Sequence, residues 1–299
     1  MKLGFVGLGK MGLNMTKRLL RNGHEVVVFN LDKDPYDEVE KEGAVTTDSL
    51  EELVENLPDR KVVWIMVPSG KAVDETVDKM EKLLTKNDIV IDGGNSYFKN
   101  SISHGKKLAE KGIFYLDCGT SGGVWGLEEG YCLMSGGEKE PSEYVKPVFE
   151  TLAPEKGYLY CGKSGSGHYV KMVHNGIEYG MMQAYAEGFE IMERSDFDVD
   201  LKEVARVWQY GSVIRSWLLR LIELALKDDK NLDDIKAYVE DSGEGRWTVL
   251  EAIESAVPAN VIASALFNRF ESREDDSYAM KLLAALRNQF GGHEVKKEG

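Results

Sequence analysis

Gly7, Gly9 and Gly12 stand between a short run rich in apolar residues, Lys2 to Val6, and a stretch from Lys10 to Arg21 whose apolar residues recur at helical spacing. A strand that becomes a helix through Gly-x-Gly-x-x-Gly has its glycines where a tight turn, a close pyrophosphate and close helix packing each forbid a side chain. A second strand candidate, Glu25 to Phe29, follows and ends near Asn30 and Asp32, 18 and 20 residues past Gly12. That is where such a unit presents a residue to a ribose. Gly7, Leu8, Gly9, Lys10, Met11 and Gly12, with Asn30 and Asp32, are therefore candidate cofactor-binding residues.

The pattern continues. Further strand candidates are Val62 to Val67, Ile89 to Asp92, Phe114 to Asp117 and Tyr131 to Ser135, and Leu50 to Asn56, Ala72 to Leu84 and Ser101 to Lys111 read as helices between them. Alternating strands and helices with short loops build a parallel sheet covered on both faces. From about Gly165 the strand signals stop, long helical patterns follow one another, and Pro258 is the sole proline where the first half holds six. The flexible run Gly162 to Gly167 marks the junction. The expected fold is α/β, a Rossmann-like doubly wound, mostly parallel sheet over 1–164, followed by an all-α domain over 165–299.

Composition narrows the function classes. The chain has 299 residues, 42% hydrophobic and 29% charged, which is globular rather than disordered. Thirty-seven Lys and Arg against 51 Asp and Glu leave a net charge of -14. Such a charge repels nucleic acid and anionic membranes, so neither is an expected partner, and an anionic ligand needs a local basic cluster. Cys118, Cys132 and Cys161 fit neither a disulfide framework nor a zinc site, which points to a reducing cytoplasm. No His/Asp/Cys cluster calls for a metal. The amino terminus reads as a strand and not a signal peptide, and the tail Glu294 to Gly299 reads as frayed.

At 100° per residue, Lys171, His174, Asn175 and Glu178 share one face of a helix, a stripe that is usually apolar. An exposed ion-pair face would also give this spacing, and His174 alone could be a hydrogen-bonded core residue. Gly176 and Gly180 in the same helix suggest that a ligand or another backbone comes close. Beside a dinucleotide, a lysine desolvated by burial can take a hydroxyl proton and later return it, and a buried glutamic acid can deliver a proton to carbon. At the end of the second strand, Asn30-Leu31-Asp32-Lys33 holds no arginine for a 2′-phosphate, so NAD is favoured and NADP remains open.

Four motifs together resemble the β-hydroxyacid dehydrogenases: Gly7 to Gly12, Asp92-Gly93-Gly94-Asn95-Ser96, Thr120-Ser121-Gly122-Gly123 and the Lys171 helix. Three more, Gly243-Glu244-Gly245-Arg246-Trp247-Thr248, Phe267-Asn268-Arg269 and Arg287-Asn288-Gln289-Phe290-Gly291-Gly292-His293, resemble the short-form decarboxylating 6-phosphogluconate dehydrogenases within that family. The resemblance covers essentially the whole chain. It implies oxidative decarboxylation of 6-phosphogluconate to ribulose 5-phosphate in the pentose phosphate pathway. In that picture Lys171 is base and acid and Glu178 protonates carbon. It adds Val67, Pro68, Ser69 and Asn95 to the cofactor contacts and gives Asn95, Ser121, Gly122, Gly123, His174 and Asn175 to the substrate. Tyr179, Arg246, Thr248, Arg269, Arg287 and His293 then take its phosphate end, where arginine forks suit a phosphate. The terminal arginine and histidine of relatives reach a partner's site, which implies a homodimer. The chain departs from longer members in having Arg246 where they usually have lysine and in lacking a roughly duplicated helical domain. Two other readings stay open: a non-decarboxylating 3-hydroxyacid dehydrogenase or semialdehyde reductase, and a non-catalytic dinucleotide sensor.

Overall fold

The computed structural model describes residues 1–296, so the end of the expected frayed tail lies outside the described residues. The chain divides into two compact units, Met1–Asn175 and Gly176–Gly299, with the division inside one long helix.

The first unit contains β1 (Lys2–Val6), α1 (Lys10–Arg21), β2 (Glu25–Phe29), α2 (Tyr36–Glu40), β3 (Val45–Thr46), α3 (Leu50–Glu55), β4 (Val62–Ile65) and α4 (Lys71–Leu83). It continues through β5 (Ile89–Asp92), α5 (Phe98–Ala109), β6 (Phe114–Ser121), α6 (Gly126–Glu129), β7 (Cys132–Gly136), α7 (Lys139–Leu152) and β8 (Tyr158–Gly162). All eight strands join one sheet in the order β3-β2-β1-β4-β5-β6-β7-β8. Every pairing is parallel except β6 with β7. The central strands β4 and β5 are buried at every position, as strands covered by helices on both faces must be. Leu3, Phe5, Val28, Trp64 and Ile91 look toward one layer, and Val6, Val27, Val63, Ile65 and Val90 toward the other. Phe5 stacks on Trp64 at 6.1 Å, and Trp64 meets Phe149 edge-on at 5.9 Å.

The sequence pattern does not mark α2, β3, α6, α7 or β8 and stops β6 short, and for α7 and the end of β6 the reason is identifiable. Helix α7 carries Pro141 and Pro147. Pro141 stands in the first turn, where no N–H needs an intrahelical partner, and the missing bond at Pro147 is offset by burying Val145, Val148, Phe149 and Leu152. Strand β6 runs past Asp117 to Ser121 because β7 pairs against it, Thr120 opposite Leu133 and Ser121 opposite Cys132. Cys-Gly-Thr-Ser reads as a loop until that partner exists.

Helix α8 (Ser166–Glu193) crosses the division, and α9 (Leu201–Val207), α10 (Trp217–Asp228), α11 (Glu244–Glu254), α12 (Asn260–Glu271) and α13 (Tyr278–Gly291) follow. Among the described residues the second unit holds small buried clusters, Phe189 with Ala205, Leu219 and Leu226, and Tyr179 with Ala265 and Leu266. Helix α13 buries no residue of its own, and Tyr278, Met280, Leu282, Leu283, Leu286 and Phe290 are exposed on it. Among the described residues no helix is long and apolar enough to cross a membrane.

Candidate active site

The loop between β1 and α1 is shaped by what its glycines exclude. Gly7 has φ +99°, and a Cβ there would overlap the Met66 carbonyl; a Cβ on Gly12 would overlap the carbonyl of Gly7. At Gly9 nothing lies within 4 Å of a Cβ position. Two glycines are thus forced by packing, while the middle one, the N-cap of α1, opens onto free space. A loop of this shape can hold a pyrophosphate against a helix N-terminus. Leu8 N donates to Asn30 Oδ1 at 2.9 Å, fixing the loop to the end of β2, and Asn30 Nδ2 donates to the Asp32 carbonyl at 2.7 Å. Asp32 is exposed and its Oδ1 accepts from Asp34 N. Lys33 is committed elsewhere: its Nζ reaches Asp48 Oδ1, the Thr47 carbonyl and Tyr36 Oη within 3.2 Å. Lys10, Pro68 and Ser69 are exposed, Met11 and Val67 half-buried.

Strand β5 ends in a buried carboxylate, Asp92, and its cross-strand neighbour midway along β6 is a second one, Asp117. Each is satisfied by a different segment. Asp92 accepts from Gly94 N at 2.9 Å, Ser96 Oγ at 2.7 Å and Tyr115 Oη at 2.8 Å, which folds the 93–96 loop tightly. Burial, reinforced by Asp92, pushes the Tyr115 phenol well above its ordinary pKa, so it remains a donor. Asn95, at φ +55°, clamps both amide atoms on the Thr120 backbone at 2.8 and 2.9 Å. Asp117 accepts from Gly165 N at 2.6 Å and His168 N at 2.9 Å. A carboxylate from a strand therefore caps the first turn of α8, where N–H groups lack intrahelical partners and the helix dipole favours negative charge.

The same turn lies directly on the sheet. A Cβ on Gly167 would meet the Asp117 carbonyl at 2.6 Å and Gly136 N at 2.8 Å, and one on Gly119 would overlap Lys171 Cβ. Lys171 is consequently 4% exposed. Its Nζ donates to Asn175 Oδ1, which also meets His174 Nδ1 at 2.9 Å. Lys171, His174 and Asn175 therefore form a packed polar cluster and not a solvated ion-pair face. Ser121 and Gly122 are half-buried and Gly123 exposed, at the end of β6.

Further along α8, Glu178 is half-buried and Tyr179 is 4% exposed. Gly176 and Gly180 serve helix packing: their Cβ positions would meet Thr248 Cγ2 at 2.6 Å and Val261 Cγ1 at 3.1 Å. Thr248 is buried and bonds back to the Glu244 carbonyl at 2.8 Å. The Arg269 guanidinium stacks 3.6 Å over the Tyr179 ring, and the Arg246 guanidinium lies 4.5 Å from the Phe270 ring. Arg287 and His293 line a cavity of 430 Å³ with Ala284, Glu294, Val295 and Lys296; Arg246 and Arg269 are not among its walls. Among the described residues no group of three His, Cys, Asp or Glu side chains could hold a metal.

The sequence pattern did not single out Asp117, His168, Asp241 or Arg273. An aspartate closing an apolar strand run, as in Ile-Val-Ile-Asp and Phe-Tyr-Leu-Asp, is the one signal that could have flagged the capping carboxylate.

Comparison with known proteins matches both parts of the chain. A sequence model described as the NAD binding domain of 6-phosphogluconate dehydrogenase matches residues 2–162, and one described as the 6-phosphogluconate dehydrogenase C-terminal domain matches residues 167–288. The Bacillus subtilis protein YqeC is 48% identical over 298 residues, covering the full length of both chains. A Haloferax volcanii protein named as an NAD(+)-dependent, decarboxylating 6-phosphogluconate dehydrogenase is 45% identical over all of this chain and 99% of its own. Among solved structures, Plasmodium falciparum 6-phosphogluconate dehydrogenase superposes with a TM-score of 0.83 at 32% identity, covering all of this chain and 66% of that one.

Proposed function

The chain belongs to the 6-phosphogluconate dehydrogenase family, and on that premise we propose that it oxidatively decarboxylates 6-phosphogluconate to ribulose 5-phosphate and carbon dioxide. The observation that carries the reading is the burial of Lys171 among Asn175 and His174 on α8. The open Gly9 position and the Asn30 tie supply a place for the dinucleotide, with Gly7 to Gly12, Asn30, Asp32, Val67, Pro68, Ser69 and Asn95 as its contacts. Bound there, the oxidised nicotinamide supplies the hydride acceptor.

In this proposal Lys171 takes the proton of the C3 hydroxyl as C3 is oxidised. Protonated, it donates to the C3 carbonyl oxygen while the C1–C2 bond breaks and its electron pair moves toward that oxygen, so that carbon dioxide leaves without a metal. Glu178, as the acid, protonates the enediol carbon that becomes C1 of the product, and Lys171 takes the enol proton back. Asn95, Ser121, Gly122, Gly123, His174 and Asn175 hold the carboxylate and hydroxyls. Tyr179, Arg246, Thr248, Arg269, Arg287 and His293 take the phosphate.

We further propose NAD over NADP. Asp32 at the end of β2 would repel a 2′-phosphate, Leu31 stands 91% exposed in place of any cation, and Lys33 is held by Asp48. The exposed apolar face of α13 beside Arg287 supports a homodimer in which the tail completes a partner's site. The proposed functional division is a dinucleotide-binding domain over 1–164 and a substrate-binding and dimerisation domain over 165–299, in a cytoplasmic enzyme. The test is reduced-nicotinamide absorbance with 6-phosphogluconate and NAD or NADP in parallel, with carbon dioxide release followed. Reduction and release in step are expected, with higher kcat/KM for NAD. Turnover of small 3-hydroxyacids without 6-phosphogluconate oxidation would move the chain to the non-decarboxylating relatives.

A further inference from the structure

The segment joining α10 to α11 has no helix or strand from 229 to 243, yet three consecutive residues in it are held by three arginines and a tyrosine. Arg269 Nη1 donates to the Glu240 carbonyl at 2.8 Å. Asp241 accepts from Arg246 through Nε at 2.7 Å and Nη2 at 3.0 Å, and from Arg273 Nη1 at 3.0 Å. Ser242 N donates to Tyr179 Oη at 2.9 Å. The side chain of Asp241 is 4% exposed, that of Arg273 23% and that of Arg246 52%, so the buried carboxylate is paired with two guanidinium groups that are each more exposed than it is. Both guanidinium groups also flank Phe270, at 4.5 and 5.1 Å from its ring.

We propose that Arg273 is a further phosphate-binding residue and that Asp241 is the positioning residue that sets Arg273 and Arg246 side by side to grip the substrate's phosphate. The inference rests on the reading of the substrate as a sugar phosphate. Asp241 engages one edge of Arg246 and one nitrogen of Arg273, which leaves Nη1 of Arg246 and Nη2 of Arg273 outside the pair. Planar forks fixed in this way bind phosphate oxygens without first losing side-chain freedom. The charge also has the right sign: Arg246, Arg269 and Arg273 outnumber Asp241, which leaves the cluster net positive for a phosphate monoester of about -1.5 to -2 near neutral pH.

The test compares Arg273→Gln, Asp241→Asn and Asp241→Glu with wild type in the full-length protein. Steady-state kinetics with 6-phosphogluconate and with gluconate are measured together with calorimetric binding of inorganic phosphate. Arg273→Gln is expected to raise KM for 6-phosphogluconate by about tenfold with kcat within twofold, leave gluconate kinetics unchanged, and weaken phosphate binding equally. Asp241→Asn removes a negative charge, so a purely electrostatic role would tighten phosphate binding. The positioning role weakens it, by about three- to tenfold, with partial rescue in Asp241→Glu. Tighter or unchanged binding in Asp241→Asn, or an unchanged KM in Arg273→Gln, overturns the assignment. If wild type does not oxidise 6-phosphogluconate, the reading of the reaction falls, and the phosphate titrations of the same proteins still decide the roles of Arg273 and Asp241.

Discussion

In the α/β unit, Asp92 and Asp117 are fully buried and their oxygens accept from backbone N–H groups, a serine and a tyrosine; in the helical unit, Asp241 accepts from two guanidinium groups. The first arrangement fixes backbone: the 93–96 loop that carries Asn95 and the first turn of the helix that carries Lys171. The second fixes long, charged side chains over a segment with no regular structure. The proton transfers proposed for Lys171 need a rigid, dry frame, and buried carboxylates filled by backbone and hydroxyl donors suit that need. The proposed phosphate grip needs several long cationic side chains brought to one place, and a shared counter-ion such as Asp241 does that. The apolar side chains follow the same contrast, sealed between sheet and helices in the first unit and exposed along α13 in the second.

The largest expected effect tests the frame. Lys171→Met should lower kcat by about 10³-fold or more while the dissociation constant for NAD, followed by fluorescence titration, stays within twofold; appreciable residual turnover would remove the proton-transfer role. Next, Arg287→Ala should raise KM for 6-phosphogluconate by about tenfold or more and leave an unphosphorylated acid nearly unaffected. An equal effect on both substrates would mean that the tail shapes the site rather than grips phosphate. The capping carboxylate comes third. Asp117→Asn should cost about 1–3 kcal/mol in urea unfolding, because Gly165 and His168 N–H use different carboxylate oxygens and the amide would set an NH2 donor against one of them. It should also lower kcat more than it weakens NAD binding, since the turn it caps leads to Lys171 and not to the Gly7 loop.

The smallest effect concerns acid. The Arg246 guanidinium foremost, with Arg273, holds the Asp241 carboxyl down from 3.8 to about 2. A carboxyl depressed on folding contributes stability that is fully present above its unfolded pKa and is lost as pH falls through its folded one. Wild type should therefore lose stability between about pH 4 and pH 2. Asp241→Asn should be less stable at pH 6 yet show a flatter acid limb across that window in chemical denaturation. Parallel limbs in the two proteins would mean that the arginine pair is not coupled to folding.

Much of the first unit was legible from residues alone. The glycines at 7, 9 and 12 had to mark a strand-to-helix turn, and β1, β2 and β5 ended where their apolar runs ended. Helix α7 was hidden because its prolines argue against a helix until the buried face made by Val145, Val148, Phe149 and Leu152 is counted. The second unit gave its motifs but not their grouping. Arg246 and Arg269 stood inside recognisable patterns, while Arg273 lay four residues beyond one with nothing to mark it.

Local chemistry decided what sequence could specify: the period of apolar residues, the glycines that a turn and a close helix require, and the polar stripe from Lys171 to Glu178, all of which depend on neighbours within a few residues. Tertiary structure decided which distant groups satisfy one another. Asp117 lies 48 and 51 residues from the N–H groups it accepts, and Gly119 and Gly136 are small because a turn of α8 rests on them. No local pattern encodes such pairs, because a buried carboxylate or a missing Cβ acquires its meaning only when the opposing backbone arrives.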